Sequence, residues 1–192
     1  AGEKRMNIVS VNDKIKASRA DRGFSVIELL VAMAAVALVI LVAVPGSSTL
    51  IEKYRLKSAS KDLLSGLAIA RAESEARSST VRVCPSSNGH TCRSDGNWNL
   101  GWLVYSDGNG DGRVQDIEVI QAFEPPNPKI HIVASGAVQS RASFTTTGLV
   151  QERDASTGEF LICHAGSGAP ARKVRVDSDG WFRSIPLKDM NC

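Results

Sequence analysis

The sequence predicts an α+β protein in which one long N-terminal helix precedes a β-rich head. Three observations carry the prediction. Residues 29–44 (LLVAMAAVALVILVAV) form an apolar run without a single charge. Beyond it, Leu56, Ala59, Leu63, Leu67, Ala70 and Ser74 recur at steps of three and four among charged residues, the signature of an amphipathic helix. From Thr80 the apolar period shortens to two, in short segments parted by glycine-, proline- and aspartate-rich joints.

The N-terminal segment sets the class. Residues 1–23 carry Lys4, Arg5, Lys14, Lys16, Arg19 and Arg22 against Glu3, Asp13 and Asp21, so they hold the whole formal excess of +3. The remaining chain is balanced, with 17 positive and 17 negative side chains. The net charge is therefore no argument for nucleic acid; it is the charge of a segment kept in the cytoplasm. Met6 offers a possible start inside this basic stretch. A secretory signal places its cleavage site after a short apolar core. Here the basic region ends at Arg22-Gly23, ahead of the apolar run, and a cut after Gly23 leaves the run in the product. From Phe24 to Val44 is 21 residues, about 31 Å as α-helix, enough to span a bilayer.

One residue breaks the pattern. Glu28 stands four positions after Phe24 inside apolar sequence. A carboxylate there costs about 2–3 kcal/mol on insertion scales and calls for a partner. It is either solvated near the interface or paired with the new α-amino group that cleavage creates at Phe24 of a neighbouring subunit, which neutralises two charges inside a lipid-free core.

The helical pattern runs over 24–78, with Pro45 and Gly46 as a place for bending or local melting. Strands are expected at 80–84, 101–106, 118–123, 130–134, 143–147, 159–164, 172–177 and 181–185. There is no internal repeat and no low-complexity tract.

The stretch Arg22-Gly23-Phe24-Ser25-Val26-Ile27-Glu28-Leu29-Leu30 resembles the leader and N-terminus of type IV pilins and type II secretion pseudopilins. Pro45, the 22nd residue from Phe24, falls where these proteins carry a helix-kinking proline. The resemblance implies a type IV pilin-like fold. It implies a leader, 1–23, removed by prepilin peptidase, with N-methylation of the Phe24 amine. Residues 24–45 become the transmembrane and filament-core helix, 46–79 the amphipathic half of the same helix, and 80–192 the head. The expected location is the inner membrane, single-pass with the head in the periplasm, then a pilus or pseudopilus. The expected partners are other major and minor pilins, met through the N-terminal helix.

A second resemblance narrows the group. Ala70-Arg71-Ala72-Glu73-Ser74-Glu75-Ala76, then Val81-Arg82-Val83-Cys84, then Gly101-Trp102-Leu103-Val104-Tyr105-Ser106-Asp107 are similar to the GspH/FimT group of minor pilins and pseudopilins. The function this implies is structural: a minor pilin that primes or joins type IV pilus assembly. The alternatives are an H-type pseudopilin in type II protein export and a DNA-binding minor pilin for DNA uptake.

Cys84, Cys92, Cys163 and Cys192 all follow the apolar run, and an even number on one side of a membrane segment suggests two disulfides in an oxidising compartment. Zinc is the rival, but no C-x-x-C pair is present. Cys84 with Cys92 would close a short loop. Cys163 with Cys192 would resemble the C-terminal disulfide loop of many pilins, and the other pairings stay open.

Asp107, Asn109, Asp111 and Glu118 stand at positions 1, 3, 5 and 12 of a calcium-loop pattern with Gly112 at position 6. The flanks, GWLVYS and EVIQAF, read as strands rather than helices, which favours a plain hairpin loop. Arg172, Lys173, Arg175 and Arg183 gather beside Trp181 and Phe182, a composition suited to phosphates and bases. Some FimT-like minor pilins take up DNA through a C-terminal Gly-Arg-x-Arg motif. Here the place reads Gly180-Trp181-Phe182-Arg183, and Asp177 and Asp179 dilute the charge. A solvated strand face with Trp181 packed is the expectation. His90, His131 and His164 sit in unrelated contexts, and no nucleophile elbow, phosphate loop or paired-carboxylate site occurs. The sequence offers no argument for an enzyme or for a resident cofactor.

Overall fold

The computed structural model describes residues 24–150, 157–165 and 171–187, with the side chains of 41–49 outside that description. The chain divides into two compact units, Ala1–Ala43 and Val44–Cys192. Helix α1 (Val26–Arg77) begins in the first and continues in the second. Its backbone is helical through Pro45 and Gly46. Proline removes one amide donor, and the neighbouring turns carry the helix across.

In the first unit the Ser25 carbonyl accepts from the amides of Glu28 (2.9 Å) and Leu29 (3.1 Å), which starts the helix. Every described side chain from Phe24 to Ile40 is exposed. Among the described residues no helix is both long and apolar enough to cross a membrane. The span expected at 24–45 runs into 41–49, whose side chains lie outside those residues.

In the second unit the apolar stripe behaves as its periodicity requires. Leu56, Ala59, Leu63, Leu67, Ala70 and Ser74 are all buried. The helix stops where Ser78 turns to φ +50 and its amide donates to the Glu75 carbonyl at 3.4 Å, a left-handed residue ending the helix without glycine.

Among the described residues eight strands follow: β1 (Val81–Pro85), β2 (Trp102–Ser106), β3 (Val119–Phe123), β4 (Ile130–Gly136), β5 (Ala142–Phe144), β6 (Thr157–His164), β7 (Arg172–Asp177) and β8 (Phe182–Pro186). All eight expected strands are present, most with ends moved by one or two residues. The fifth departs most, because it stops at Phe144 rather than 147. There the Gly148 amide donates to the Thr145 carbonyl, with Gly148 at φ +72, and the turn takes the place of further pairing.

The strands form two antiparallel sheets, ordered β3-β2-β1-β5 and β4-β6-β7-β8. Alternate residues of each, Val81, Val83, Trp102, Val104, Ala142 and Phe144 from the first and Ile130, Ile132, Phe160, Ile162, Val174 and Val176 from the second, join the helix stripe in one core. Trp98, on a single 3-10 turn (Trp98–Leu100), meets Phe160 edge-on at 4.9 Å, and its indole N–H donates to the Gln139 carbonyl at 3.0 Å. Trp102 stacks on Phe123 at 5.5 Å. Gly66 on the helix makes room for that stack, since a Cβ there would come within 3.0 Å of the Trp102 indole nitrogen. Along the edge strand β4, the Ile132 amide donates to the Asn99 side chain at 2.6 Å, which caps one otherwise open backbone group.

Candidate functional site

Three regions were singled out by sequence, and the structure treats each differently. The first is the start of α1. Phe24 is 84% exposed, and Val26, Ile27, Leu29 and Leu30 are exposed with it. Glu28 lies in the first helical turn, where a carboxylate is favoured by the unpaired amides of the helix N-terminus. That placement stabilises Glu28 within one chain but leaves its carboxylate exposed. Gly23 lies outside the described residues.

The second region is the loop after β2. Asp107 does not point outward with the other three oxygen donors. Its side chain is fully buried and forms an ion pair with Arg82 of β1, whose side chain is 17% exposed. Asp107 Oδ1 also accepts from the Gly112 amide at 3.3 Å. Asn109 and Asp111 bond to each other and to the loop backbone: Asn109 Nδ2 donates to Asp111 Oδ2 at 3.0 Å, and the Arg113 amide donates to Asp111 Oδ1 at 2.7 Å. That amide holds the Asp111 carboxyl below its ordinary value of 3.8. Glu118 turns back to accept from the Gln115 amide at 3.1 Å, as part of a capping box on the 3-10 turn Asp116–Glu118. Each of the four donors is thus engaged by a different protein group. Among the described residues no group of three His, Cys, Asp or Glu side chains is arranged to hold a metal ion.

Beside this loop, Cys84 is bonded to Cys92 across a separation of eight residues. The closed segment is ordered by polar bonds: Asn88 Oδ1 accepts from the amides of His90 and Thr91, both at 3.0 Å. His90 Nδ1 lies 3.1 Å from Asp116 Oδ1. Cys84, Leu103 and Tyr105 form a small second core on the outer face of the first sheet, against Val114. Cys163 on β6 is also disulfide-bonded. Cys192 lies outside the described residues.

The third region is the basic C-terminal hairpin, and its charges are matched. Lys173 Nζ lies 2.9 Å from Glu159, Arg175 lies 2.7 Å from Asp177, and Arg183 lies 3.9 Å from the same carboxylate. Arg175 and Arg183 are cross-strand neighbours sharing Asp177. Arg172 stands apart on the core-facing side of β7, where Nε donates to Ser184 Oγ at 3.1 Å. The expectation of a packed Trp181 needs correction: it is 66% exposed. Arg71 of α1 lies over one face of this exposed ring, 4.9 Å from the centroid. Arg71 Nη1 also donates to the Gly180 carbonyl at 2.9 Å. This clamp was missed in the sequence, where Arg71 was only part of a family-like stretch. Lys53, Lys57 and Lys61, spaced by four, read in the sequence only as part of the charged face beside the apolar stripe.

His131 is exposed on β4 opposite Cys163, as an outward strand position requires. His164 is buried, and neither ring nitrogen has a hydrogen-bond partner among the described residues.

Comparison with curated proteins finds no match. Among solved structures, the fold is similar to the crystal structure of the Pseudomonas aeruginosa type IV minor pilin FimU. The TM-score is 0.52 at 17% identity, over 70% of this chain and 91% of that one. The minor pseudopilin EpsH from the Type 2 Secretion System of Vibrio cholerae aligns at a TM-score of 0.49 and 10% identity, over 69% and 97% of the two chains. The family model for the prokaryotic N-terminal methylation motif matches residues 18–44. The model for Type II transport protein GspH matches residues 59–180, well over half of the sequence. The chain therefore belongs to the Type II transport protein GspH family and carries the N-terminal methylation motif ahead of its family domain.

Proposed function

We propose that the protein is a structural minor pilin that primes or joins a type IV pilus. The observation that carries the reading is the N-terminal arrangement. An unbroken helix presents only exposed apolar side chains from Val26 to Ile40 apart from one carboxylate, Glu28, in its first turn. So much apolar surface, about 25 cal/mol per Å² when removed from water, calls for a lipid or protein environment.

In this reading prepilin peptidase cuts after Gly23 and methylates the amine of Phe24. The 24–45 helix first anchors the chain in the inner membrane, with the head in the periplasm, and then packs among sister helices in the filament. Glu28 meets the Phe24 amine of a neighbour, so that two charges enter the apolar core only as a pair. That requirement sets the register between subunits, because a subunit displaced along the bundle would bury both charges unmatched. Residues 80–192 contact neighbouring heads.

The family description favours one second reading, a pseudopilin of type II protein export, which uses the same N-terminal chemistry. Mass spectrometry of the membrane-derived chain tests what both share. The expected product begins at an N-methylated Phe24, and any other start refutes the assignment. Deleting the gene then separates the two: loss of surface pili supports the pilus role, and loss of protein export with pili intact supports the pseudopilin.

A further inference from the structure

A cavity of about 200 Å³ lies in the second unit between α1 and the ends of β7 and β8. It is lined by Lys53, Leu56 and Lys57 of the helix and by Ala171, Arg172 and Pro186. Three of the six residues are cations, the other three are apolar, and none is acidic.

Among the described residues, no carboxylate lies within ion-pair distance of Lys53, Lys57 or Arg172, whereas Lys173, Arg175 and Arg183 nearby all have one. Lys53 and Lys57 are separated by four on one helical face and continue to Lys61, all three exposed. Like charges at this spacing repel one another along a helix. Arg172 is held in place from behind. Its Nε donates to Ser184 Oγ, and Ser184 shares a second hydrogen bond with Ser60 of α1 at 2.9 Å. Ser60 is buried. The Ser60–Ser184 pair thus fixes the guanidinium and leaves its terminal nitrogens available for a ligand.

We infer that this cavity binds a phosphate-bearing anion between Lys53, Lys57 and Arg172. Arg172 supplies a planar pair of donors for two phosphate oxygens, and the lysines supply point charges. Leu56, Ala171 and Pro186 suit the carbon skeleton that a phosphate ester carries. Two sources share this chemistry: the headgroup of an anionic phospholipid and free phosphate. Lys53 stands nine residues after Val44 in the sequence, about 14 Å as helix, so a headgroup contact requires the anchoring proposed above. The free-phosphate source does not.

The test uses the full chain reconstituted in nanodiscs, with lysine acetylation rates read by mass spectrometry. Three samples at equal ionic strength are compared: phosphatidylcholine alone, phosphatidylcholine with phosphatidylglycerol, and phosphatidylcholine with inorganic phosphate. A site filled at about ten times its Kd slows modification about tenfold. Selective slowing at Lys53 and Lys57 with phosphatidylglycerol supports the site and identifies lipid. The same slowing with inorganic phosphate supports the site and identifies free phosphate. No slowing in either sample, or equal slowing at Lys61 and Lys129, overturns the inference, the latter by indicating a diffuse surface potential. Recovery of the chain with the discs reports anchoring separately. Arg172→Gln must remove the protection while the Cys84–Cys92 bond and the emission of the buried tryptophans stay unchanged; protection that survives this substitution also refutes the site.

Discussion

Replacing Asp107 with Asn separates two readings of the loop after β2. The side chain of Asp107 is fully buried and that of Arg82 is 17% exposed, so Asp107→Asn leaves a cation almost wholly removed from water without its counter-charge. Asparagine keeps an oxygen for the Gly112 amide, so the change isolates the ion pair. Breaking one partner of a buried pair costs about 3–5 kcal/mol. The residual solvation of Arg82 places this case at the lower end, about 3 kcal/mol. With a urea slope of about 1.5 kcal/mol per M, the unfolding midpoint should fall by about 2 M. Emission from the buried Trp98 and Trp102 reports unfolding, measured with EDTA and again with calcium. Arg82→Met and the double variant complete a cycle that measures the coupling directly. A shift below about 0.5 M in EDTA would falsify the ion-pair account. If the destabilisation appears only when calcium is present, Asp107 is a cation ligand rather than the partner of Arg82.

The remaining expectations are briefer. Cys84→Ala with Cys92→Ala opens a loop of eight-residue separation and should cost about 2.5 kcal/mol in the chain-entropy account. Equal unfolding midpoints for this variant and the parent would show that the loop stays ordered without the bond. Glu28→Ala should permit cleavage yet reduce the subunit in sheared filaments to background, and unchanged incorporation would count against the pairing with Phe24. Because the Arg113 amide depresses the Asp111 carboxyl, its contribution to loop order is complete above the ordinary value of 3.8 and disappears as pH falls through the lower folded value. The Arg113 amide resonance should therefore stay constant on acidification to that point and move only below it. Movement centred above it would refute the hydrogen bond as the cause.

Much of this protein was legible in the amino-acid order because the relevant physics is local. A helix that buries one face must repeat apolar residues every three or four positions, and the stripe from Leu56 to Ser74 is buried residue for residue. A half-buried strand must alternate, and β7 keeps the bounds 172–177 that alternation predicts. The uncharged run with its single acid needs no partner in the fold to be recognised, since its anomaly is compositional.

Tertiary structure alone decided what depends on residues far apart in sequence. Alternation cannot say that eight strands divide into β3-β2-β1-β5 and β4-β6-β7-β8, because every strand carries the same period. Spacing offered Asp107 as a metal ligand, while the pairing of β1 with β2 brought Arg82 near enough to draw its carboxylate inward. Arg71 and Gly180 are 109 residues apart, yet one hydrogen bond joins them and fixes the exposed Trp181. Lys53 and Lys57 looked like an ordinary solvated helix face until the end of β7 set Arg172 beside them. Local periodicity determines which face of an element is apolar; only closure of the chain determines which charges then find themselves opposite one another, and which are left without a match.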